Sequence, residues 1–200
     1  MLRSRRGSAR PRTPLGARGT RRAAGALLLA AMGSGLALAG GPPPRVTPIA
    51  GADLAAAIHS VNPDRGGDVS AVLVNVWATW CLPCLEELPD VLRLRREFLA
   101  SGLRVVLVSG DFPDQLSAVE EYLARLGVDF ETFIKDGPDM EFIDALYEEW
   151  SGAMPATLVY DGRGRLVQFR EGKATYEELE SWVRDALEAA ERPGLTKETP

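Results

Sequence analysis

Cys81 and Cys84, two residues apart, are the only thiols in a chain of 200 residues, and His59 is its only imidazole. Two thiols at that spacing can close a small disulfide ring and exchange it with another disulfide, or supply half of a four-ligand zinc site. No second Cys or His pair is present to complete such a site. A disulfide-stapled mini-protein needs more cysteines, and a hydrolase built on a histidine cluster needs more than one histidine. As a passive staple, so small a ring adds little through chain entropy. The chemistries that remain are thiol–disulfide exchange and, in a different functional class, non-enzymatic binding of Cu(I) between two soft thiolates.

The elements around the pair favour exchange. Residues 71–77 (AVLVNVW) form a near-continuous apolar run rich in β-branched side chains, the pattern of a strand buried on both faces. Apolar residues then recur at helical spacing over 82–100, with Ser101 and Gly102 closing the helix and Pro89 expected to kink it. The dithiol therefore opens a helix directly after a strand. First-turn backbone N–H groups lack intrahelical partners and carry the positive end of the macrodipole, so a thiolate at Cys81 is favoured there. Pro83 fits the first turn, where its missing N–H costs little. Cys81 is expected to be the exposed attacking thiol and Cys84 the more buried resolving one. Leu82 and Leu85 give the dithiol apolar neighbours beside Trp80, whereas Trp77, Trp150 and His59 read as packing or surface residues.

Downstream, the pattern predicts a strand over 104–109, a helix over 115–126, a strand over 130–134 and a helix over 139–150. A hairpin over 157–170 turning at Asp161-Gly162-Arg163-Gly164 and a closing amphipathic helix over 176–189 complete it. Strands alternating with helices imply a parallel core, and the hairpin adds an antiparallel part, so the fold class is α/β with a mixed sheet.

Charge divides the chain. Residues 1–39 hold eight arginines and no acid, leaving 15 basic and 28 acidic residues beyond them. The whole-chain net charge of −5 thus becomes −13 without that segment. An arginine-rich start, an apolar run over 23–39 and the small-x-small sequence Ala37-Leu38-Ala39 read as an export signal cut before Gly40. Thr20-Arg21-Arg22 resembles a twin-arginine signal. An uncleaved N-terminal membrane anchor is the other reading, although Gly25, Gly33, Ser34 and Gly35 interrupt the run. A Pro-rich spacer over 40–48, a domain over 49–190 and a flexible tail over 191–200 follow. So acidic a domain is not expected to bind nucleic acid.

The stretch from Val74 to Pro89 (VNVWATWCLPCLEELP) resembles the active-site segment of exported thioredoxin-like proteins of the TlpA/ResA type. Asp111, Gly152 to Thr157, Asp161 to Gly164 and Gly172 extend the resemblance over about residues 65–190. It implies a thioredoxin fold, a central mixed sheet flanked by helices with the dithiol at the start of the first helix of the core. It implies a cis bond before Pro155, which would present the Met154 backbone to an incoming peptide. It also implies that Glu87, one helical turn beyond Cys84, handles the Cys84 proton, because Asn75 stands where thioredoxins place a buried aspartate. The expected site is therefore Cys81, Cys84 and Glu87 for the chemistry, and Trp80, Pro83, Met154 and Pro155 for the substrate. No cofactor and no metal is expected. The implied activity is thiol:disulfide exchange on a disulfide-containing protein in the periplasm or at the outer face of the membrane. The implied direction is reductive, fed by a membrane electron donor, with apocytochrome c and cytochrome c maturation the best-known setting of the type. The helical insertion of strong oxidants has no room between Phe112 and Phe130, and the Thr-x-x-Cys setting of a peroxidatic cysteine is absent.

Overall fold

Residues 44–59 and 69–191 are described in the computed structural model. The leader over 1–39, the first part of the spacer and residues 192–200 of the tail lie outside the described residues. The described chain runs β1 (Val46–Ala50), α1 (Gly51–His59), β2 (Ala71–Trp77), α2 (Leu82–Phe98), β3 (Leu103–Ser109) and α3 (Leu116–Arg125). It continues with β4 (Thr132–Asp136), α4 (Asp139–Leu146), β5 (Ala156–Asp161), β6 (Leu166–Glu171) and α5 (Tyr176–Glu191).

One six-stranded sheet in the order β1-β4-β3-β2-β5-β6 organises these elements. Strands β1, β4, β3 and β2 run parallel to their neighbours, while β5 is antiparallel to β2 and β6 to β5. This is the mixed sheet flanked by helices that the sequence predicts. The period-two alternation of a strand sends its side chains to two cores. From β2, Leu73 and Trp77 enter the core that contains residues of α2, α3 and α5, and Val72, Val74 and Val76 enter the core that contains residues of α1 and α4. Burial on both faces is why β2 and β3 are almost wholly apolar. Asn75 falls on the α2 side by the same alternation, and it is the one polar side chain of β2.

Four elements depart from the sequence reading. Val46–Ala50 is a strand, so the spacer expected over 40–48 gives way to folded structure at Val46, ahead of the boundary expected at 49. Its five residues contain Pro48, which hides the strand pattern, and an edge strand tolerates a proline because one of its sides carries no partner. Helix α1 occupies an Ala-rich segment that gave no clear periodic signal. Helix α4 stops at Leu146 rather than continuing to 150, because Tyr147 adopts an extended backbone (φ −166°, ψ 119°) and packs its ring at a tilt against Phe169 of β6, ring centres 4.6 Å apart. Strand β4 begins at Thr132, two residues later than expected.

Helix α2 is assigned without a break through Pro89. Proline removes the N–H that would reach the Leu85 carbonyl one turn earlier. The Tyr122 hydroxyl of α3 donates to that Leu85 oxygen at 3.4 Å instead. A 3₁₀ turn at Leu99–Ser101 and Gly102, at φ +87°, then end the helix, a backbone angle that glycine adopts without strain.

Candidate active site

The turn from β2 into α2 carries both cysteines, and they are joined by a disulfide with a Cα–Cα distance of 5.2 Å. Cys81 is the N-cap of α2, with extended backbone (φ −91°, ψ 95°) and no side-chain hydrogen bond to the first turn. The N-cap position is therefore open to a thiolate once the disulfide is reduced, and no acidic residue occupies the first turn to repel it. Accessibility ranks as the sequence suggests, with Cys81 at 6% and Cys84 at 1%. In absolute terms the expectation of an exposed Cys81 is corrected: both cysteine residues are buried in the disulfide form, within the core cluster that also holds Leu88 and Val91. Exposure belongs instead to their neighbours Trp80, at 62%, and Leu82, at 66%.

Met154 precedes Pro155 through a cis peptide bond. The antiparallel register sets Ala156 opposite Val76, so the start of β5 lies beside the end of β2, where the dithiol turn begins. Gly152 approaches this region at φ +88°, a left-handed backbone that favours glycine, and a Cβ there would meet the end of the Ile143 side chain, Cδ1, at 2.9 Å. Trp150 holds the same loop, its indole N–H donating to the Ala153 carbonyl at 2.8 Å, which makes it more than a packing residue. Trp80 and Met154 come together along one groove of about 210 Å³, with Phe112, Phe142, Ile143 and Trp150 among its other walls. Pro83 is exposed in the first turn of α2 and lies outside that groove, and Pro155 is buried beside it.

Behind the disulfide, α2 buries Cys84, Glu87, Leu88 and Val91 on one face. Glu87 is fully buried. Its Oε1 accepts from Asn75 Nδ2 at 2.8 Å and its Oε2 from the Ala174 amide at 2.6 Å. The same Asn75 amide nitrogen donates to Thr157 Oγ1 on β5 at 3.0 Å. Burial raises the Glu87 carboxyl above its ordinary value, and the hydrogen bonds from Ala174 and Asn75, with the Lys173 charge, hold back part of that rise. Glu86, next in the chain, is exposed and pairs with Lys173 at 2.8 Å. One carboxylate is thus held inside and the other solvated. Sequence reasoning missed what Asn75 does: a lone amide on the α2 side of an apolar strand was the available signal. Thr157 and Ala174 gave none. Among the described residues no group of three or more His, Cys, Asp and Glu is placed to share a metal ion, so the Cu(I) reading rests on the two thiols alone.

Known proteins match this arrangement. Residues 56–169 fit the AhpC/TSA family. The thiol-disulfide oxidoreductase ResA of Geobacillus kaustophilus is 31% identical over 128 residues, which cover 64% of this chain and 68% of that protein. For the ResA of Bacillus thuringiensis the figures are 28% over 113 residues, 56% of this chain and 61% of the relative's length. The chain thus spans about three fifths of that relative. A crystal structure from Chlorobium tepidum described as a thiol:disulfide interchange protein of the thioredoxin family superposes with a TM-score of 0.52 at 26% identity, covering 60% of this chain and 81% of that one. Sheet order, dithiol turn and matched sequence agree: the chain belongs to the AhpC/TSA family and has a thioredoxin fold.

Proposed function

We propose that this protein is an extracytoplasmic thiol:disulfide oxidoreductase that reduces disulfides in protein substrates through Cys81 and Cys84. The observation that carries the reading is the position of the disulfide, with Cys81 as the uncapped N-cap of α2 and a buried carboxylate on the same helix face one turn behind Cys84. In the reduced protein the Cys81 thiolate attacks one sulfur of the substrate disulfide, the substrate S–S bond breaks, and the leaving thiolate takes a proton. Cys84 loses its proton to Glu87 and attacks the Cys81 sulfur of the mixed disulfide, which releases the second substrate thiol. Two electrons pass to the substrate and the Cys81–Cys84 disulfide is formed. A two-electron dithiol donor must then regenerate the pair, and a membrane electron donor fits an exported protein.

Trp80, Met154 and the groove they line support docking of a polypeptide segment beside the reacting sulfur. The arginine-rich leader supports export to the periplasm or the outer membrane face, and the resemblance of residues 74–89 to the TlpA/ResA type supports apocytochrome c as the substrate and cytochrome c maturation as the setting. Equilibration with glutathione tests the direction: a potential near roughly −270 mV is expected of a reductant, and one near roughly −120 mV would overturn that direction. Cys84→Ser is expected to trap the substrate as a mixed disulfide on Cys81, and apocytochrome c should be among the captured proteins.

A further inference from the structure

Asp111 is a buried charge with no direct part in the exchange. It stands two residues beyond the end of β3 and is fully buried. Its carboxylate accepts three hydrogen bonds: from the Thr79 amide at 2.9 Å, the Thr79 hydroxyl at 2.6 Å and the Ser109 hydroxyl at 2.6 Å. The Asp111 amide in turn donates to Ser109 Oγ at 3.0 Å. A carboxylate out of water is strongly unfavourable unless several donors meet it, and here two of the three come from one residue. That residue lies two positions before Cys81. The same turn is tied again where the Gly110 amide donates to the Trp77 carbonyl at 2.7 Å and the Cys81 amide to the Ala78 carbonyl at 3.1 Å. The segment leading into the dithiol is therefore held by the end of β3, at both the backbone and the side chain of Thr79.

We infer that Asp111 is a positioning residue for the exchanging thiol: by gripping Thr79 it fixes the turn that seats Cys81 as the N-cap of α2. The inference rests on the proposed role of Cys81 as attacking thiol. Two effects of Asp111 on Cys81 differ in sign, which makes them separable. As a like charge it disfavours the thiolate, so its removal would lower the Cys81 pKa. As a clamp it holds Cys81 at the N-cap, next to the unpaired N–H groups of the first turn, so its loss would raise that pKa. Three donors already meet the carboxylate and weaken its outward field, so the clamp dominates. The other charged groups around the start of α2 are Glu86 and Glu87 on the helix, Lys173 facing Glu86, and the Lys135–Asp139 pair on the groove that Trp80 lines. None of them changes in the variants below.

The test is the pH dependence of alkylation of Cys81 by iodoacetamide in the reduced protein, run beside the rate of glutathione disulfide reduction. Asp111→Asn offers one acceptor oxygen in place of two and is expected to raise the Cys81 pKa by about one unit, cutting the thiolate fraction about tenfold at pH values well below that pKa. Thr79→Val, which keeps the amide donor and loses the hydroxyl, should move the pKa the same way by less. Thr79→Ser, with both donors, should behave as the unmodified protein. A fall in the Cys81 pKa in Asp111→Asn would assign a field effect and overturn the clamp. An unmoved pKa with only a lower Tm would overturn it too, leaving a structural anchor. If Asp111→Asn fails to fold, the Thr79 pair decides by the same criteria. Should the unmodified protein reduce no glutathione disulfide and alkylate Cys81 only as an ordinary thiol, the oxidoreductase reading falls and the clamp with it. Turnover that persists while the variants leave the pKa unmoved defeats the clamp alone.

Discussion

At Glu87 burial works against two hydrogen bonds and one nearby cation, and burial wins, so the carboxyl holds its proton to higher pH than a solvated glutamate. Each carboxylate oxygen accepts one donor and keeps a second lone pair, so the group can receive a proton without losing Asn75 or Ala174. Acting as a base toward Cys84, it gives the exchange rate an acid limb that lies above the ordinary 4.5 of a glutamate. Glu87→Gln is expected to abolish that limb and to slow resolution of the mixed disulfide by about a hundredfold at neutral pH. Single-turnover kinetics across pH read both effects, and an unchanged profile would remove Glu87 from the mechanism. The sign for stability follows from linkage. Because the folded protein binds this proton more tightly than the unfolded chain, its contribution to stability declines as pH rises from the ordinary value to the raised one. Denaturant titrations of the Gln variant should lack that decline.

Two elements depend on single side chains at their ends or from a neighbouring helix. Helix α2 contains a proline one turn beyond Leu85, and Tyr122 of α3 donates to the carbonyl that the proline leaves unmatched. Tyr122→Phe should cost about 1 kcal/mol, and the same change in a Pro89→Ala background should cost less, since the restored amide serves Leu85. A double-mutant cycle by chemical denaturation measures the difference, and equal costs would deny Tyr122 this role. The β5–β6 hairpin depends on Asp161 in the same way. Its buried carboxylate accepts from the Arg163 and Arg165 amides at 2.9 and 3.0 Å and pairs with the Arg165 guanidinium at 2.7 Å. Burial alone would raise this carboxyl, but the backbone and Arg165 hydrogen bonds outweigh it and hold it below the usual range. A depressed acid stabilises the fold above its unfolded pKa and loses that contribution as pH falls through the folded one. Asp161→Ala is therefore expected to cost about 1–3 kcal/mol at neutral pH and less at strongly acid pH, measured as Tm against pH.

For the molecule as a whole, the redox state of one small ring is coupled to the stability of the fold. Closing the Cys81–Cys84 loop restricts the unfolded chain by no more than about 2 kcal/mol in the chain-entropy picture. A reductant should be more stable oxidised than reduced, whereas a strong oxidant is more stable reduced. Calorimetry of both forms should place the oxidised protein higher in Tm, and the opposite order would reverse the proposed direction of electron flow. Charge acts at the same scale. Without residues 1–39 the chain carries −13 rather than −5, which disfavours contact with nucleic acid or anionic lipid.

The dithiol, its place between strand and helix, and the α/β class were legible in the sequence because each is a local pattern. A buried strand, a helical repeat and two thiols at one turn's spacing need no distant partner to be recognised. A buried Glu87 beside an exposed Glu86 is what the resemblance implies and what the fold shows, but the partners that hold each of them, Ala174 and Lys173, were not legible, because they arrive from the far end of the chain. Asp111 likewise looks like an ordinary acid after a strand until β3 lies beside β2 and brings it under Thr79. Strand β1 escaped notice because its pairing with β4 supplies what five residues and a proline cannot signal alone. Local propensity and pattern settle which chemistry the chain can carry. What the buried carboxylate bonds to, and which turn is clamped, follow from contacts between residues up to 87 positions apart, and only the tertiary structure brings those together.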